Sequence, residues 1–469
     1  MTEALRRSVT SLKVQNYRRY FAGQVVSVSG NWMQIVAEVW LILKLTESGT
    51  AVGLVAALQF APILLFGAYG GMLADRIPKR VLLQFSQAAM AVPALALFAL
   101  YVSGVVEPWM VFALVFVRGT VNAIDNPARQ SFVIEMVGAD RVVNAVSLNS
   151  VIVHASRIVG PAIAGGVISI WGVGPCFVLN AASFAAMIFA LRSMDAAELA
   201  DAPRASREPG ALRAALRYVR ATPALRLPLL MMAVVGMLSF NFLVVLPLLA
   251  KFTFDTTASG YAWLMTAMGI GSVAGALVAG ARGCVTNRLL VRSSALFGAL
   301  TLLLAVSPTI ELAALALVPL GAASVTFAAG VNSALQLAVT AEMRGRVMAL
   351  YSIVFLGTTP LGGPLSGWIA ETWSPRLALV VGGVAALVAA VVARSAFSRA
   401  QRGPLPSARS DVDYGHGTHR ARSPDCSAPR RAGAHPRAGV LPREKRAARG
   451  VDRGLLPGRL PRDGEVARR

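Results

Sequence analysis

Three polar side chains interrupt the first long apolar stretch of the sequence. Asn31, Gln34 and Glu38 lie within residues 21–45, and intervals of three and four residues place them on one face of a helix. A carboxyl group in apolar, low-dielectric surroundings favours its neutral form, so Glu38 is a candidate for taking up and releasing a proton. Helix rise puts Glu38 roughly 25 Å from Phe21. Two roles therefore stay open for it: proton coupling, and a position at the mouth of a pathway.

Other polar residues lie inside apolar stretches. Arg118, Arg157 and Asn241 are examples, and His154 lies one helical turn before Arg157. Ionisable groups are costly inside a membrane, so those that occur there mark functional sites. For each arginine, a structural ion pair or water contact and a role in binding substrate both remain open. His154 fits an interior histidine with satisfied hydrogen bonds better than a proton relay.

The composition is that of a membrane protein. Of 469 residues, 55% are hydrophobic and 14% are charged, against about 25% charged residues in a soluble domain. Apolar runs long enough to span a bilayer recur along the chain. They predict an all-α membrane protein with twelve transmembrane helices, at about 21–45, 53–74, 81–103, 109–128, 144–169, 173–192, 227–250, 259–281, 289–306, 312–333, 347–370 and 376–396.

The basic residues indicate how the chain is oriented. An even number of spans puts both termini on one side, and loops on that side contain almost all the arginines, among them Arg129, Arg141 and six arginines between 204 and 226. The opposite loops hold only Lys44, Lys251 and Arg376. Because basic loops stay in the cytoplasm, both termini are predicted to be cytoplasmic. The formal charge of +22 is thereby explained without nucleic acid as a partner.

The chain divides into four regions. Residues 148–172 and 350–374 resemble each other, which indicates two repeated six-helix halves, 1–192 and 227–396, with a binding cavity between them. Residues 193–226 form a linker that contains an amphipathic helix, on whose apolar face Leu212, Leu216 and Val219 would lie; a helix on the anionic leaflet and a solvated linker helix both fit. Residues 397–469 contain 17 basic and 7 acidic residues without apolar periodicity. They are predicted to be a disordered basic tail, or the product of a shifted reading frame.

The stretch GMLADRIPKR at 71–80 resembles the loop signature of the major facilitator superfamily, with Pro78 where that pattern has glycine. The resemblance implies a cytoplasmic gate, in which Asp75 meets the start of the eleventh span near Arg346 when the cavity faces outward. It also implies Arg129 as the arginine partner. A purely topological role for the charges is the alternative. The predicted gating residues are Gly71, Asp75, Arg76, Lys79, Arg80 and Arg129.

A closer resemblance covers residues 10–396. The stretches 30–65, DNPARQSF (125–132) and EMRGRVMAL (342–350) are similar to the branch that contains the bacterial enterobactin exporter and macrolide-efflux proteins. It implies that spans one, four, seven and ten line the cavity. GPAIAGG at 160–166 resembles the fifth-span motif of proton-coupled exporters; its proline permits a bend and its glycines close packing. The predicted bend residues are Gly160, Pro161, Gly165, Gly363 and Pro364, with plain helix packing as the alternative.

No sequence feature indicates an enzyme. A nucleotide-binding Gly-x4-Gly-Lys motif, a zinc spacing and a nucleophile elbow are not found, so no catalytic residue, metal or cofactor is expected. The expected function is export of amphipathic, drug-like molecules by proton antiport and alternating access, by a monomer in the inner membrane of a bacterium. The partners are a small molecule, protons and the lipid bilayer. A siderophore exporter, a lipid flippase and a non-transporting membrane scaffold are the alternatives, and the candidate cavity residues are Asn31, Gln34, Glu38, Arg118, Arg157 and Asn241.

Overall fold

A computed structural model describes residues 10–199, 211–282 and 286–402, which belong to a unit that runs from Met1 to Ser410. The predicted disordered tail 397–469 is wrong at its start, because residues 397–402 continue the last helix. The rest of the predicted tail, from residue 403 onward, and linker residues 200–210 lie outside the described residues. All regular structure within these ranges is helical.

The N-terminal helices follow the predicted apolar segments, with ends set by local chemistry. Ser48 accepts a hydrogen bond from the Ala51 N–H, which caps the second helix. Pro108 begins the fourth helix, where its missing N–H costs nothing. The bounds are α1 Gln15–Thr46, α2 Gly49–Arg76, α3 Lys79–Val102, α4 Pro108–Val137, α5 Val142–Trp171 and α6 Gly174–Arg192.

Two predicted spans in the C-terminal part are broken. The seventh is interrupted at Ser239–Asn241, where the Asn241 side chain donates to the Met237 carbonyl at 2.7 Å and replaces a helical bond. The eleventh is interrupted at Thr358, two residues before Pro360, which has no N–H to donate. The bounds are α7 Ala211–Ala221, α8 Pro223–Leu238, α9 Phe242–Leu248, α10 Ala258–Arg282, α11 Asn287–Ala305, α12 Ile310–Ala338, α13 Ala341–Gly357, α14 Thr359–Thr372 and α15 Pro375–Arg402.

Among the described residues, eleven segments are long and apolar enough to cross a membrane. They include the two interrupted ones, Pro223–Thr253 and Glu342–Thr372, each as a single span. The fourth predicted segment is not among the eleven, because α4 carries Arg118, Asp125 and Arg129. The all-helical membrane fold is thus confirmed, whereas the number twelve stays a prediction.

Close glycine contacts join the N-terminal to the C-terminal helices at two places. A Cβ on Gly53 of α2 would lie 2.7 Å from the Pro364 Cα of α14. A Cβ on Gly165 of α5 would lie 2.7 Å from the Ala262 Cβ of α10. Side chains at these positions would push the helices apart, so the glycines set the distance between them.

The predicted linker helix is present as α7 and packs against α13. In α7, Ala215 and Val219 are buried, whereas Leu216 is 38% exposed and the Leu212 side chain lies outside the described residues. A position of this helix on the anionic leaflet or in solvent stays a prediction. Arg213, Arg217 and Arg220 are exposed.

Candidate functional site

The polar face of α1 forms a buried network with α4 and α6. The Glu38 Oε2 lies 2.6 Å from the Arg118 Nη2, and the two side chains are 1% and 4% exposed. Gln34 donates to the Glu38 Oε1 at 2.7 Å, and Asn180 donates to the Gln34 Oε1 at 2.5 Å. Arg118 also donates to the Asn31 Oδ1 at 2.9 Å. We call these five residues the Glu38 network.

The network makes a buried carboxylate tolerable. Both Glu38 oxygens accept a hydrogen bond, and the charge of Arg118 compensates theirs. Removal of one partner from a buried ion pair costs about 3–5 kcal/mol, because it leaves a charge without compensation. The burial of Glu38 also means that its side chain does not reach outward to solvent. Of the predicted cavity residues, the structure joins Asn31, Gln34, Glu38 and Arg118 in one network.

A second acidic site lies further along α4. Asp125 is 2% exposed, forms an ion pair with Arg129, and accepts hydrogen bonds from Ser86 at 2.5 Å and from Gln87 at 2.9 Å. We call these four residues the Asp125 cluster. It borders a cavity of about 500 Å³ between N-terminal helices, whose other polar lining residues include Gln24, Ser27, Asn31, Asn122, Asn126 and Asn149.

The predicted gating residues are divided between two kinds of contact. Lys79 forms an ion pair with Glu135 at 2.5 Å, and Arg80 donates to the Leu191 and Arg192 carbonyls at 2.8 Å each. These bonds tie the start of α3 to the ends of α4 and α6. Asp75 is half-buried and makes no hydrogen bond or ion pair within the described residues.

Within the described residues, no side-chain hydrogen bond or ion pair joins the remaining gating residues to Asp75. Arg129 bonds Asp125, Arg76 is exposed and Gly71 is buried. The Arg346 guanidinium lies 3.7 Å from the Met343 sulfur within α13. A gate formed by Asp75 with α13 and Arg129 therefore stays a prediction for another conformation.

The predicted bend residues lie where helices cross. In α5, a Cβ on Gly160 would lie 2.7 Å from the Ser29 carbonyl of α1, and Gly165 faces α10. In α14, a Cβ on Gly363 would lie 3.0 Å from the Gly53 carbonyl of α2. Pro161 and Pro364 lie inside α5 and α14 without interrupting them. The structure thus shows the close packing; a functional bend is a proposal.

A different cavity is lined by both the N-terminal and the C-terminal helices. We call this space of about 290 Å³ the central cavity. The Arg157 guanidinium lies 5.2 Å from the centre of the Trp32 ring at its wall. Arg157 makes no hydrogen bond or ion pair within the described residues. Asn241 is 3% exposed, and its Oδ1 has no partner among them.

The apolar wall of the central cavity comes mostly from large side chains: Phe60, Phe240, Phe242, Met265, Met268 and Phe355. Arg157 and Asn241, two of the predicted cavity residues, line this space, and their part in binding substrate or protons stays a prediction. Arg118, Gln34 and Glu38 do not line it, because they bond one another and Asn180 between α1, α4 and α6. Trp32 follows Asn31 directly, so α1 connects the cavity wall to the Glu38 network.

Polar bonds close the end of the bundle opposite residues 71–80. Glu371 of α14 accepts hydrogen bonds from the Ser48 hydroxyl and the Thr50 N–H, both at 2.8 Å, at the start of α2. Lys251 forms an ion pair with Glu47 at 2.9 Å. A carboxylate at a helix N-terminus is favoured by the helix dipole. We call these five residues the clasp.

Sequence reasoning missed Asp125, Asn180 and Glu371. Asp125 precedes Arg129 by four residues, and that spacing is a readable signal for an ion pair on one helix face. Asn180 and Glu371 carry no such local signal, since their partners are 146 and more than 300 residues away.

Comparisons with known proteins agree with this architecture. The profile of a family described as "Transmembrane secretion effector" matches residues 7–407. The multidrug efflux pump Tap of Mycolicibacterium fortuitum is 27% identical over 361 residues, which cover 73% of this chain and 86% of that protein. The staphyloferrin A transporter of Staphylococcus aureus (strain NCTC 8325 / PS 47) is 25% identical over 163 residues, or 34% of this chain and 41% of that protein.

The fold also matches solved structures. The nucleoside transporter NupG, as its D323A mutant, has a TM-score of 0.66 at 14% identity, and the match covers 81% of this chain and 99% of that one. The first curated relatives are matched over only about two fifths of their own length, whereas the family profile covers most of the chain. The chain therefore belongs to the transmembrane secretion effector family of the major facilitator superfamily.

Proposed function

We propose that this protein is a secondary exporter that moves amphipathic, drug-like molecules out of a bacterial cytoplasm in exchange for protons. The observation that carries the proposal is the buried Glu38–Arg118 ion pair. It provides a carboxyl group whose protonation changes the charge balance inside the N-terminal helices. The amino-acid sequence offers no nucleotide-binding motif as another source of energy.

The proposed topology has twelve spans in two halves, 1–192 and 227–396, with both termini in the cytoplasm of a bacterial inner-membrane monomer. The span that raises the eleven to twelve is α4, the fourth predicted segment along the chain. It runs for 30 residues beside α2. Its charged residues bond within the bundle, since Arg118 pairs with Glu38 and Asp125 with Arg129. Such internal pairing lets a polar helix cross a membrane. The arginine-rich loops then lie inside, as the distribution of basic residues favours.

Proton uptake by Glu38 changes the Glu38 network first and the central cavity second. A proton on Glu38 removes the negative charge that compensates Arg118, so the closely bonded arrangement loses most of its electrostatic stabilisation. Arg118 holds the Asn31 side chain, and the next residue, Trp32, lies at the cavity wall. A movement of α1 at this point therefore changes the central cavity. This is how protonation and substrate occupancy would exclude each other.

The ends of the bundle supply the alternating gates. In this structure the clasp joins α2 to α14 at one end, and Asp75 makes no bond at the other. We assign this arrangement to the state in which the cavity opens toward the cytoplasm. In the opposite state the clasp is broken and Asp75 bonds at the start of α13. Crossing points at Gly160, Gly165 and Gly363 let the helices tilt between these states.

The proposal is tested by flux in proteoliposomes. The purified protein is reconstituted without nucleotide, and a fluorescent amphipathic dye is followed after an imposed pH step. We expect dye movement that follows the direction and size of the pH difference and stops when an ionophore removes it. Flux that needs ATP, or that ignores the pH difference, contradicts proton antiport.

A siderophore exporter is the second candidate. It is favoured by Arg157, a guanidinium without an acidic partner at the cavity wall, and by the similarity to a staphyloferrin A transporter. Transport of an iron-free siderophore in the same proteoliposomes, with the amphipathic dye left unmoved, would select this candidate over the first.

A further inference from the structure

Arg157 has an unusual environment for a charge inside the bundle. Arg118 and Arg129 both have a carboxylate partner, whereas Arg157 has neither an ion pair nor a hydrogen bond within the described residues. Its guanidinium lies over the Trp32 ring, 5.2 Å from the ring centre. A cation–π contact is weaker than an ion pair and leaves the N–H donors of the guanidinium unused.

The surroundings of Arg157 do not compensate its charge. The central cavity contains no acidic side chain among its lining residues, which are mainly aromatic and aliphatic. His154, one turn away on α5, brings no negative charge, and its Nδ1 also lacks a hydrogen-bond partner. A cation in such a place costs free energy until an anion or water satisfies it.

A second polar group without a hydrogen-bond partner belongs to Asn241, a residue that lines the same cavity. The Asn241 Oδ1 is an acceptor without a partner, although the side chain is 97% buried and its Nδ2 is fixed by the Met237 carbonyl. The amide is thus held in one orientation by the helix break between α8 and α9. Its free oxygen accepts a hydrogen bond from a ligand that carries an N–H or O–H group.

We propose that the central cavity binds an amphipathic organic anion, with its acidic group on Arg157, a hydrogen-bond donor on Asn241 and its aromatic or aliphatic body against the phenylalanine and methionine side chains. This inference rests on the proposed export function and adds the substrate class. The volume of about 290 Å³ suits a small drug-sized molecule, at the lower end of ligand pockets of about 300–1,000 Å³. Arg118 takes no part in binding the anion, because Glu38 already compensates it.

An anion bound to Arg157 lies between the N-terminal and the C-terminal helices. Arg157 lies on α5, and its carbonyl would be 2.8 Å from a Cβ on Gly269 of α10. Asn241 belongs to the C-terminal helices. A ligand held between Arg157 and Asn241 therefore bridges the two sets, and its binding favours the arrangement in which they enclose it.

Equilibrium binding to the purified full chain tests this proposal without requiring transport. The probe is anilinonaphthalene sulfonate, which combines a sulfonate, an N–H group and aromatic rings. The matched neutral probe is N-phenylnaphthylamine, which has the rings and the N–H group but no charge. Both are titrated in nanodiscs of uncharged lipid, and empty nanodiscs give the background.

We expect Arg157→Gln to weaken binding of the sulfonate about tenfold, equivalent to about 1.4 kcal/mol, and to leave the neutral probe unchanged. Arg157→Lys keeps the charge and should recover part of the affinity. Arg288→Gln, at an exposed arginine of α11, is the matched control and should bind like the wild type. The N-methylated sulfonate, which lacks the donor for Asn241, should bind the wild type more weakly than the parent probe.

Two results overturn the proposal. One is unchanged sulfonate binding in Arg157→Gln; the other is an equal loss of both probes in Arg157→Gln and Arg157→Lys, which means that Arg157 only maintains the shape of the cavity. A different result would contradict the export proposal alone. If the sulfonate binds through Arg157 but no solute follows a pH step in proteoliposomes, proton antiport is wrong and the anion site stands.

Discussion

The Glu38 carboxylate lies 2.6 Å from the Arg118 guanidinium, between α1 and α4, where both side chains are almost completely buried. Two opposite charges so placed stabilise each other only while both are present. Protonation of Glu38 therefore also affects the central cavity, since Arg118 holds Asn31 beside the wall of that cavity. The proposed coupling of transport to protons depends on this pair.

The first prediction concerns the second acidic site. Asp125→Asn should destabilise the protein strongly, because Arg129 loses its compensating charge inside the bundle; removal of one partner from a buried pair costs about 3–5 kcal/mol. Thermal unfolding in detergent measures this. Asp255→Asn, at an exposed position with positive φ that asparagine also tolerates, is the control. Equal melting temperatures for the two variants would show that Asp125 and Arg129 are not a stabilising pair.

The clasp gives a second prediction. Glu371→Ala removes the acceptor for the Ser48 hydroxyl and the Thr50 N–H. The closed end should open more often, with a shift of about tenfold in the populations for about 1.4 kcal/mol of lost bonding. Reaction of a cysteine introduced at Thr50 with an impermeant maleimide, added from the periplasmic side, measures the opening.

The control for the clasp is Glu107→Ala, an exposed acid at the same end of the bundle whose side chain accepts a hydrogen bond from the Trp109 indole N–H. The reaction rate of the introduced cysteine should stay at the wild-type value in this variant. If Glu371→Ala behaves in the same way, the clasp does not hold this end closed.

A third prediction concerns the gate at residues 71–80. Asp75→Asn should weaken the outward-facing state and reduce the rate of transport roughly fivefold at normal protein levels, since a hydrogen bond to a charged group exceeds a neutral one by about 1 kcal/mol. Cysteine accessibility from the cytoplasmic side should rise. Asp140→Asn, an exposed acid at the same end, serves as the comparison. Unchanged flux together with unchanged accessibility would leave Asp75 with a topological role alone.

The tail can be tested by truncation. Residues from 403 onward follow the last helix and are rich in arginine, proline, glycine and alanine. A chain that ends after Arg402 should insert into the membrane and transport at the wild-type rate, because all the predicted spans precede that point. A truncated chain present at normal levels but without flux would show that the tail takes part in transport.

The sequence predicts the positions of the helices better than the contacts of the candidate site. Apolar periodicity is local, so it places the ends of most described helices in the bundle to within about six residues, including those that Ser239–Asn241 and Thr358 interrupt. The exception is α4, which runs to Val137, nine residues past its predicted end at 128. The shared face of Asn31, Gln34 and Glu38 followed in the same way from helical spacing. The number of spans was harder to read, because the charges of α4 lower its hydropathy although they are paired inside the bundle.

Partners across helices could not be read. That Arg118 pairs with Glu38 while Arg157 stays unpaired depends on which residues two helices present to each other when they cross. In the sequence both arginines lie inside apolar segments, and only the structure shows that Arg118 has an acidic partner whereas Arg157 has none within the described residues. In the same way, Arg129 was expected beside Asp75, but Asp125, four residues away on its own helix, bonds it in this structure.

The most direct test of the account is the pH profile of transport in Glu38→Gln. Glutamine has the size of the protonated acid and cannot take up a proton, so the variant should still bind the dye and exchange it down its own gradient, yet show no response to an imposed pH difference. Glu38→Gln combined with Arg118→Gln should recover the melting temperature that the single variant loses, since no charge is then left without compensation. A wild-type pH profile in Glu38→Gln would contradict the account, and the acid that couples transport to protons would then lie elsewhere.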